Sequence, residues 1–219
     1  MKNRINYKLK GDKVVGKVKI CGLKRLKEIE IVNNFLPDYI GFVLAPSKRQ
    51  ISLEQAKELK AQLHPSIQAV GVFVNAPIEE ILSYEKQQII DIVQLHGDEN
   101  LVYINSLKKA SDLKVIKAIT IKDEASLEVQ KSLLESELID YVLLDAYHPK
   151  VYGGSGKSFN WQLLNQIHRP YFLAGGIGLD NLEEALKYKP YAIDISSKVE
   201  VAGIKDEALV KAVIERIRE

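Results

Sequence analysis

Short apolar runs rich in β-branched residues recur along the whole chain: Lys17–Cys21 (KVKIC), Tyr39–Val43 (YIGFV), 69–74 (AVGVFV), Ile92–Leu95 (IVQL), 114–118 (KVIKA), Tyr141–Asp145 (YVLLD), Tyr171–Ala174 (YFLA) and Ala192–Ile195 (AIDI). Most are apolar on consecutive positions rather than alternating, which predicts strands covered on both faces, as in a parallel sheet. Between them the period changes to that of a helix. Residues 52–63 carry Leu53, Ala56, Leu59 and Leu63 on one face, and Ser52-x-x-Gln55 predicts a capping box. Residues 180–188 open with Asp180-x-x-Glu183 and present Leu182, Ala185 and Leu186 together, and 205–217 repeats the style with Leu209, Val210, Val213 and Ile217. Strand starts lie about 20 to 30 residues apart, near the length of one βα unit. Eight such units predict an α/β fold, a single closed (β/α)8 barrel over 17–219, preceded by an extension over 1–16 holding one short strand or hairpin. A doubly wound open sheet fits the same periodicity. No linker, low-complexity segment or close internal repeat divides the chain.

The chain has 219 residues, 46% hydrophobic and 27% charged, which suits one ordinary globular domain rather than a disordered polymer. Lys plus Arg is 31 and Asp plus Glu is 29, a net charge of only +2. So small a surplus argues against nucleic acid or a membrane as partner, and any affinity for anions must come from local groups. The single cysteine, Cys21, permits no internal disulfide and suits a reducing cytosol. No apolar run approaches the ~20 residues needed to cross a bilayer. The N-terminus MKNRINYKLKGDKVVGK has basic residues but no apolar core of a secretory signal. The expected address is the cytoplasm.

In a (β/α)8 barrel the chemistry sits on the loops after the strands. These ends read Cys21-Gly22, then Pro46-Ser47-Lys48-Arg49, Asn75, and His96-Gly97-Asp98. Asp145 ends the sixth run and leads to Tyr152-Gly153-Gly154-Ser155-Gly156-Lys157; Gly175-Gly176 follows the seventh, and Asp194 with Ser196-Ser197 the eighth. Paired glycines and small hydroxyl residues let backbone N–H groups approach a phosphate, and barrels of this kind often hold one after their last two strands. A nucleotide P-loop is excluded, because Val151 stands five residues before Gly156 where that motif needs Gly. A thiol and a carboxylate at different strand ends form a plausible acid–base pair able to move a proton between neighbouring sugar carbons. The four histidines are scattered and no His/Cys/Glu cluster has zinc-like spacing, so no metal is expected. Each residue also has a plainer reading: Cys21 as a small buried hydrophobe, Asp145 as a helix cap, Arg49 as a solvated loop cation. By the same reasoning Asp194 and His96 are satisfied strand-end groups, the glycines are turn residues, and Tyr152 and Trp161 are packing.

The strings KICGLKRL, GFVLAPSKRQIS, GVFVN, VQLHGDE, LLDAYHPKVYGGSGKSFNW, AGGIGLDNL and DISSKVE, in this order from Lys17 onward, resemble those of the phosphoribosylanthranilate isomerases. The resemblance implies a cofactor-free (β/α)8 isomerase of tryptophan biosynthesis, taking a phosphorylated small molecule and occurring as monomer or homodimer. Its reaction is the Amadori rearrangement of N-(5-phosphoribosyl)anthranilate to 1-(2-carboxyphenylamino)-1-deoxyribulose 5-phosphate. Carried onto matching positions, Cys21 is the general base that takes the sugar C2 proton, and Asp145 the general acid that protonates the ring oxygen. Arg49 faces the anthranilate carboxylate, where a guanidinium fork pairs with two oxygens. Gly154, Ser155, Gly156, Gly175, Gly176, Ser196 and Ser197 hold the phosphate, and Asp194 orders the site. Three departures stand out: the N-terminal extension, Lys198 where many members have Gly, and Asn160 where many have Asp. The rival readings are the histidine-pathway isomerase, which needs Asp where this chain has Cys21, and a non-catalytic phosphosugar-binding barrel.

Overall fold

The computed structural model describes residues 16–145 and 161–219. Eight parallel strands pair in chain order: β1 (Lys17–Cys21), β2 (Tyr39–Val43), β3 (Gln68–Phe73), β4 (Ile92–Leu95), β5 (Lys114–Thr120), β6 (Tyr141–Asp145), β7 (Tyr171–Ala174) and β8 (Ala192–Ile195). β1 also pairs with β8, Lys17 opposite Ala192 and Lys19 opposite Asp194, so the sheet closes on itself and the open doubly wound alternative falls. Six strands have the predicted bounds. β3 starts and ends one residue earlier, because Gln68 N–H already bonds the Asp38 carbonyl and Asn75 turns the chain with a φ of 50°. β5 runs on to Thr120, which pairs with Asp145.

The helices are α1 (Leu26–Phe35), α2 (Leu53–Ala61), α3 (Ile78–Lys86), α4 (Leu101–Ala110), α5 (Glu124–Val129), α6 (Lys131–Glu135), α7 (Leu182–Lys187) and α8 (Glu207–Arg218). A 3-10 helix, Trp161–Gln166, precedes β7, and Trp161 stacks on Tyr188 at 5.8 Å. Two predicted caps are corrected. Ser52 Oγ accepts from Gln55 N–H as expected, but the Gln55 side chain donates to the Lys24 carbonyl instead of closing the box. At α7 the N-cap is Asn181 rather than Asp180, whose carboxylate is taken by Lys198 at 2.7 Å. Asn181 instead pins the loop before it, accepting from Gly178 N–H and donating to the Gly176 carbonyl.

Period-2 alternation splits the strands between two apolar clusters. Val18, Ile20, Ile40, Phe42, Val93, Val142, Leu173 and Ile193 pack outward against the helices. Tyr39, Val70, Ile92, Ile116, Leu143, Phe172 and Ala192 fill the lumen. At the N-terminal rim, Asp38, Asp91 and Asp140 each accept the first free N–H of a neighbouring strand, from Val18, Ala69 and Val115. That satisfies donors that would otherwise be buried unpaired. No helix among the described residues is long and apolar enough to cross a membrane.

Candidate active site

Above the apolar tier, at the C-terminal ends of the strands, the same inward-facing positions carry Lys19, Cys21, Gln94, Asp145 and Asp194. Among the described residues a cavity of about 360 Å³ opens here, lined by Cys21, Arg49, Gln94, His96, Asp145, Gly175, Gly176, Asp194, Ser196, Ser197 and Lys198. Every predicted site residue within the described chain thus borders one cavity or its wall. Gly154, Ser155 and Gly156 lie outside the described residues, as do Tyr152, Asn160 and 1–15 of the extension.

Cys21 is partly exposed to the cavity at the end of β1. Its thiol occupies the space above Gly41 of β2, where a Cβ would lie 2.6 Å from Sγ. The Gly of the GFV string therefore makes room for the thiol. Burial pushes the thiol above its ordinary range; Lys19 opposes this, Asp194 reinforces it and Lys205 opposes it. Gly22 follows with a φ of 88°, in the left-handed region, and a Cβ there would lie 2.5 Å from Arg49 Cδ. The strand end is locked from the other side by Ser196 Oγ, which donates to the Cys21 carbonyl at 3.1 Å.

Lys19 is fully buried, with Nζ 3.0 Å from both carboxylate oxygens of Asp194. Burial draws the ammonium down, but Asp194 and then Cys21 outweigh it, and its pKa is raised. The predicted Asp194 is thus committed to an ion pair inside the barrel wall.

Across the cavity, three strands round the ring from Cys21, Asp145 ends β6 with Oδ2 3.9 Å from His96 Nε2. Gln94 Nε2 lies 2.9 Å from His96 Nδ1, so a donating amide leaves the imidazole proton on Nε2, towards Asp145. Burial pulls His96 below the ordinary histidine range despite Asp145, which keeps it neutral at neutral pH. Gln94 Oε1 is buried without a hydrogen-bond partner among the described residues, an acceptor open to a ligand hydroxyl.

Arg49 does not stand free. After β8 a 3-10 turn (Ser197–Val199) leads into a ribbon of β9 (Glu200–Val201) and β10 (Ile204–Lys205). Glu200 binds the guanidinium at two points, Nε–Oε1 3.0 Å and Nη2–Oε2 2.9 Å, and takes a third bond from Lys205 Nζ at 2.7 Å. Burial alone would raise the Glu200 carboxyl, but Arg49 and Lys205 hold it down to about 2. A depressed carboxyl stabilises the fold above its unfolded pKa, so this cluster comes apart only as pH falls towards about 2. The Arg49 fork thus borders the cavity while held by Glu200.

On the far side the loop after β7 passes through Gly175 (φ 100°) and Gly176 (φ 69°), backbone open only to glycine at low cost. Lys198, paired with Asp180, joins this loop to the one after β8. The arrangement offers a cationic fork at one end, a small-residue cradle at the other, and a thiol and a carboxyl between.

Sequence reasoning missed Lys19, Gln94, Glu200 and Lys205, and read His96 as structural. Lys19 carried a signal: in KVKIC it shares the period-2 face of Cys21. Glu200 and Lys205 carried none, since their partners are met only in the folded chain.

A family model described as N-(5'-phosphoribosyl)anthranilate (PRA) isomerase matches residues 18–216. The chain is 45% identical over 205 residues to N-(5'-phosphoribosyl)anthranilate isomerase of Thermoanaerobacter pseudethanolicus, covering 92% of this chain and 98% of that one. It is similar to a crystal structure of phosphoribosylanthranilate isomerase in complex with reduced 1-(o-carboxyphenylamino)-1-deoxyribulose 5-phosphate, with a TM-score of 0.79 and 32% identity over 92% and 98% of the two chains. It is also similar to monomers generated from the dimeric enzyme of Thermotoga maritima, with a TM-score of 0.78 and 31% identity over the same shares.

Proposed function

The chain belongs to the N-(5'-phosphoribosyl)anthranilate isomerase family, and from that premise we propose that Cys21 and Asp145 are its acid–base pair. The activity is the isomerisation of N-(5'-phosphoribosyl)anthranilate in tryptophan biosynthesis. The histidine-pathway alternative falls with the family match, as does the barrel without chemistry.

In this reading Asp145 gives its proton to the furanose ring oxygen, and the ring opens to a protonated Schiff base. Cys21, as thiolate, takes the proton from sugar C2; the electrons of that bond neutralise the iminium, and the enolamine tautomerises to the aminoketose. The observation that carries the assignment is that thiol and carboxyl line one cavity from different strand ends, with the neutral His96 beside Asp145. His96, with Nε2 3.9 Å from Asp145 Oδ2, acts on that carboxyl electrostatically. The outer edge of Arg49 takes the anthranilate carboxylate. Gly175, Gly176, Ser196 and Ser197, together with Gly154, Ser155 and Gly156, take the phosphate through backbone N–H groups and hydroxyls. Asp194 acts from within the wall, through Lys19. The working unit is the barrel over 17–219 in the cytoplasm, as monomer or homodimer.

Turnover followed by loss of anthranilate fluorescence tests the pair. Cys21→Ala and Asp145→Asn should each lower kcat by about 10²–10⁴-fold while product affinity stays within a few-fold. Near-normal turnover in either variant removes that residue from the mechanism.

A further inference from the structure

The proposed chemistry leaves unexplained why the lumen holds a lysine. Lys19 sits two residues before Cys21 on β1, so both side chains point inward on one face of the strand. Its side chain is wholly inaccessible, and Nζ is held by both oxygens of Asp194, with the Cys21 thiol as a further side-chain neighbour. Taking two charges out of water costs several kcal/mol per ion, and a buried pair is often no more stabilising than apolar residues of the same volume. The rest of the lumen demonstrates the apolar solution: Val70, Ile116, Leu143 and Ala192 fill it. Stability therefore does not account for the pair.

The tier just above does. A thiol that must work as a thiolate is opposed here by burial and by the Asp194 carboxylate, and Lys19 is the foremost group acting the other way. Among the described residues, the other cationic groups around the thiol are already matched or neutral. Arg49 and Lys205 share Glu200, while His96 is neutral and faces Asp145 across the cavity. Resting on the reading of Cys21 as base, we propose that Lys19 is a positioning residue of the reaction: its ammonium, anchored in the lumen by Asp194, is the cation against which the Cys21 thiolate forms. Asp194 then has the task of holding that ammonium in place, not of touching substrate.

The chain has one cysteine, so alkylation by iodoacetamide reports on Cys21 without background. Its rate against pH gives the midpoint of thiolate formation, and the rising limb of kcat against pH should follow it. Lys19→Met should move both upward by about one to three pH units, as expected for loss of an opposite charge at close range. Asp194→Asn should move both downward, since it removes a like charge and leaves the ammonium. Opposite displacements support the inference. Displacements in the same direction, or unmoved midpoints with slower turnover, make the pair merely structural and overturn it. Should Lys19→Met fail to fold around an unpaired carboxylate, Lys19→Met/Asp194→Asn leaves no buried charge; its midpoint should still rise, and an unmoved one overturns the inference. Cys21→Ala separates the two readings: if it retains turnover the base assignment fails and this inference with it, whereas a dead Cys21→Ala with unmoved midpoints sinks Lys19 alone.

Discussion

At the N-terminal end of the strands the lumen is closed by aromatic rings, and at the C-terminal end by ions. Phe172 is wholly buried among Tyr39 at 5.3 Å, Tyr141 at 5.6 Å and Tyr191 at 5.7 Å between ring centroids. The Tyr191 hydroxyl lies 3.1 Å from that of Tyr39 and 3.3 Å from that of Tyr141, and Lys17 Nζ sits over the Tyr191 ring. Each of the three rim aspartates gives one oxygen to a backbone N–H group and pairs with a surface cation, Arg218, Lys60 or Lys108. Among the described residues, these polar groups are paired with one another or with the backbone. At the other end Lys19–Asp194 and Arg49–Glu200–Lys205 hold charge in place around a cavity, and Gln94 Oε1 has no partner at all among the described residues. One tier closes on itself; the other is built to be completed by a ligand. Substitutions at the first end should lower stability at constant turnover, and substitutions at the second should do the reverse.

The strongest way to break this contrast is Phe172→Ala. It leaves a cavity in the floor of the barrel and should cost about 3–5 kcal/mol of unfolding free energy in urea. At a temperature where the variant remains folded, kcat/KM should stay within about two-fold of wild type, since no reacting group is touched. A large fall in kcat would mean that the floor sets the geometry of the site, and the division between the two ends would collapse.

Arg49→Ala is the next largest, and it sharpens the contrast from the other side. A charge-assisted bond to a carboxylate is worth about 1.5–3 kcal/mol, so KM should rise about 10- to 100-fold. Glu200 keeps Lys205 as partner, so the melting temperature should barely change. Arg49→Lys should recover little, because the fork already spends Nε and one Nη on Glu200 and an ammonium lacks the second prong. Unchanged binding of the anthranilate-bearing product would take Arg49 out of substrate recognition.

How far each end was legible in the sequence follows from how its parts are specified. The strands were readable because burial on both faces writes continuous apolar runs, and Cys21, Asp145 and Gly175-Gly176 because they interrupt those runs at one end. Bounds failed where a tertiary bond decided them, as with Gln68 N–H taken by Asp38, and caps failed where a nearer partner competed, as when Lys198 took Asp180. The ion pairs were not legible at all. Lys19 and Asp194 stand 175 positions apart, Arg49 and Glu200 151, and only closure of β1 on β8 brings them together. Lys198 itself proves to be a strap between the loops after β7 and β8.

Tyr191→Phe is the smallest change and the finest probe of the contrast. It keeps the ring, and with it the 4.8 Å stack on Tyr141, and removes only the hydroxyl that links Tyr39 and Tyr141. A neutral hydrogen bond contributes about 0.5–1.5 kcal/mol net, so unfolding should become easier by about 1 kcal/mol. Because Lys17 still lies 5.1 Å above the ring, the cation–π contact should persist and limit the loss. Turnover, KM and the pH midpoint of Cys21 alkylation should all match wild type, since the apolar tier of Val70, Ile116 and Leu143 lies between this hydroxyl and the thiol. A displaced alkylation midpoint in this variant would show that the hydrogen-bonded floor is felt at the mouth, and that the two ends are not independent.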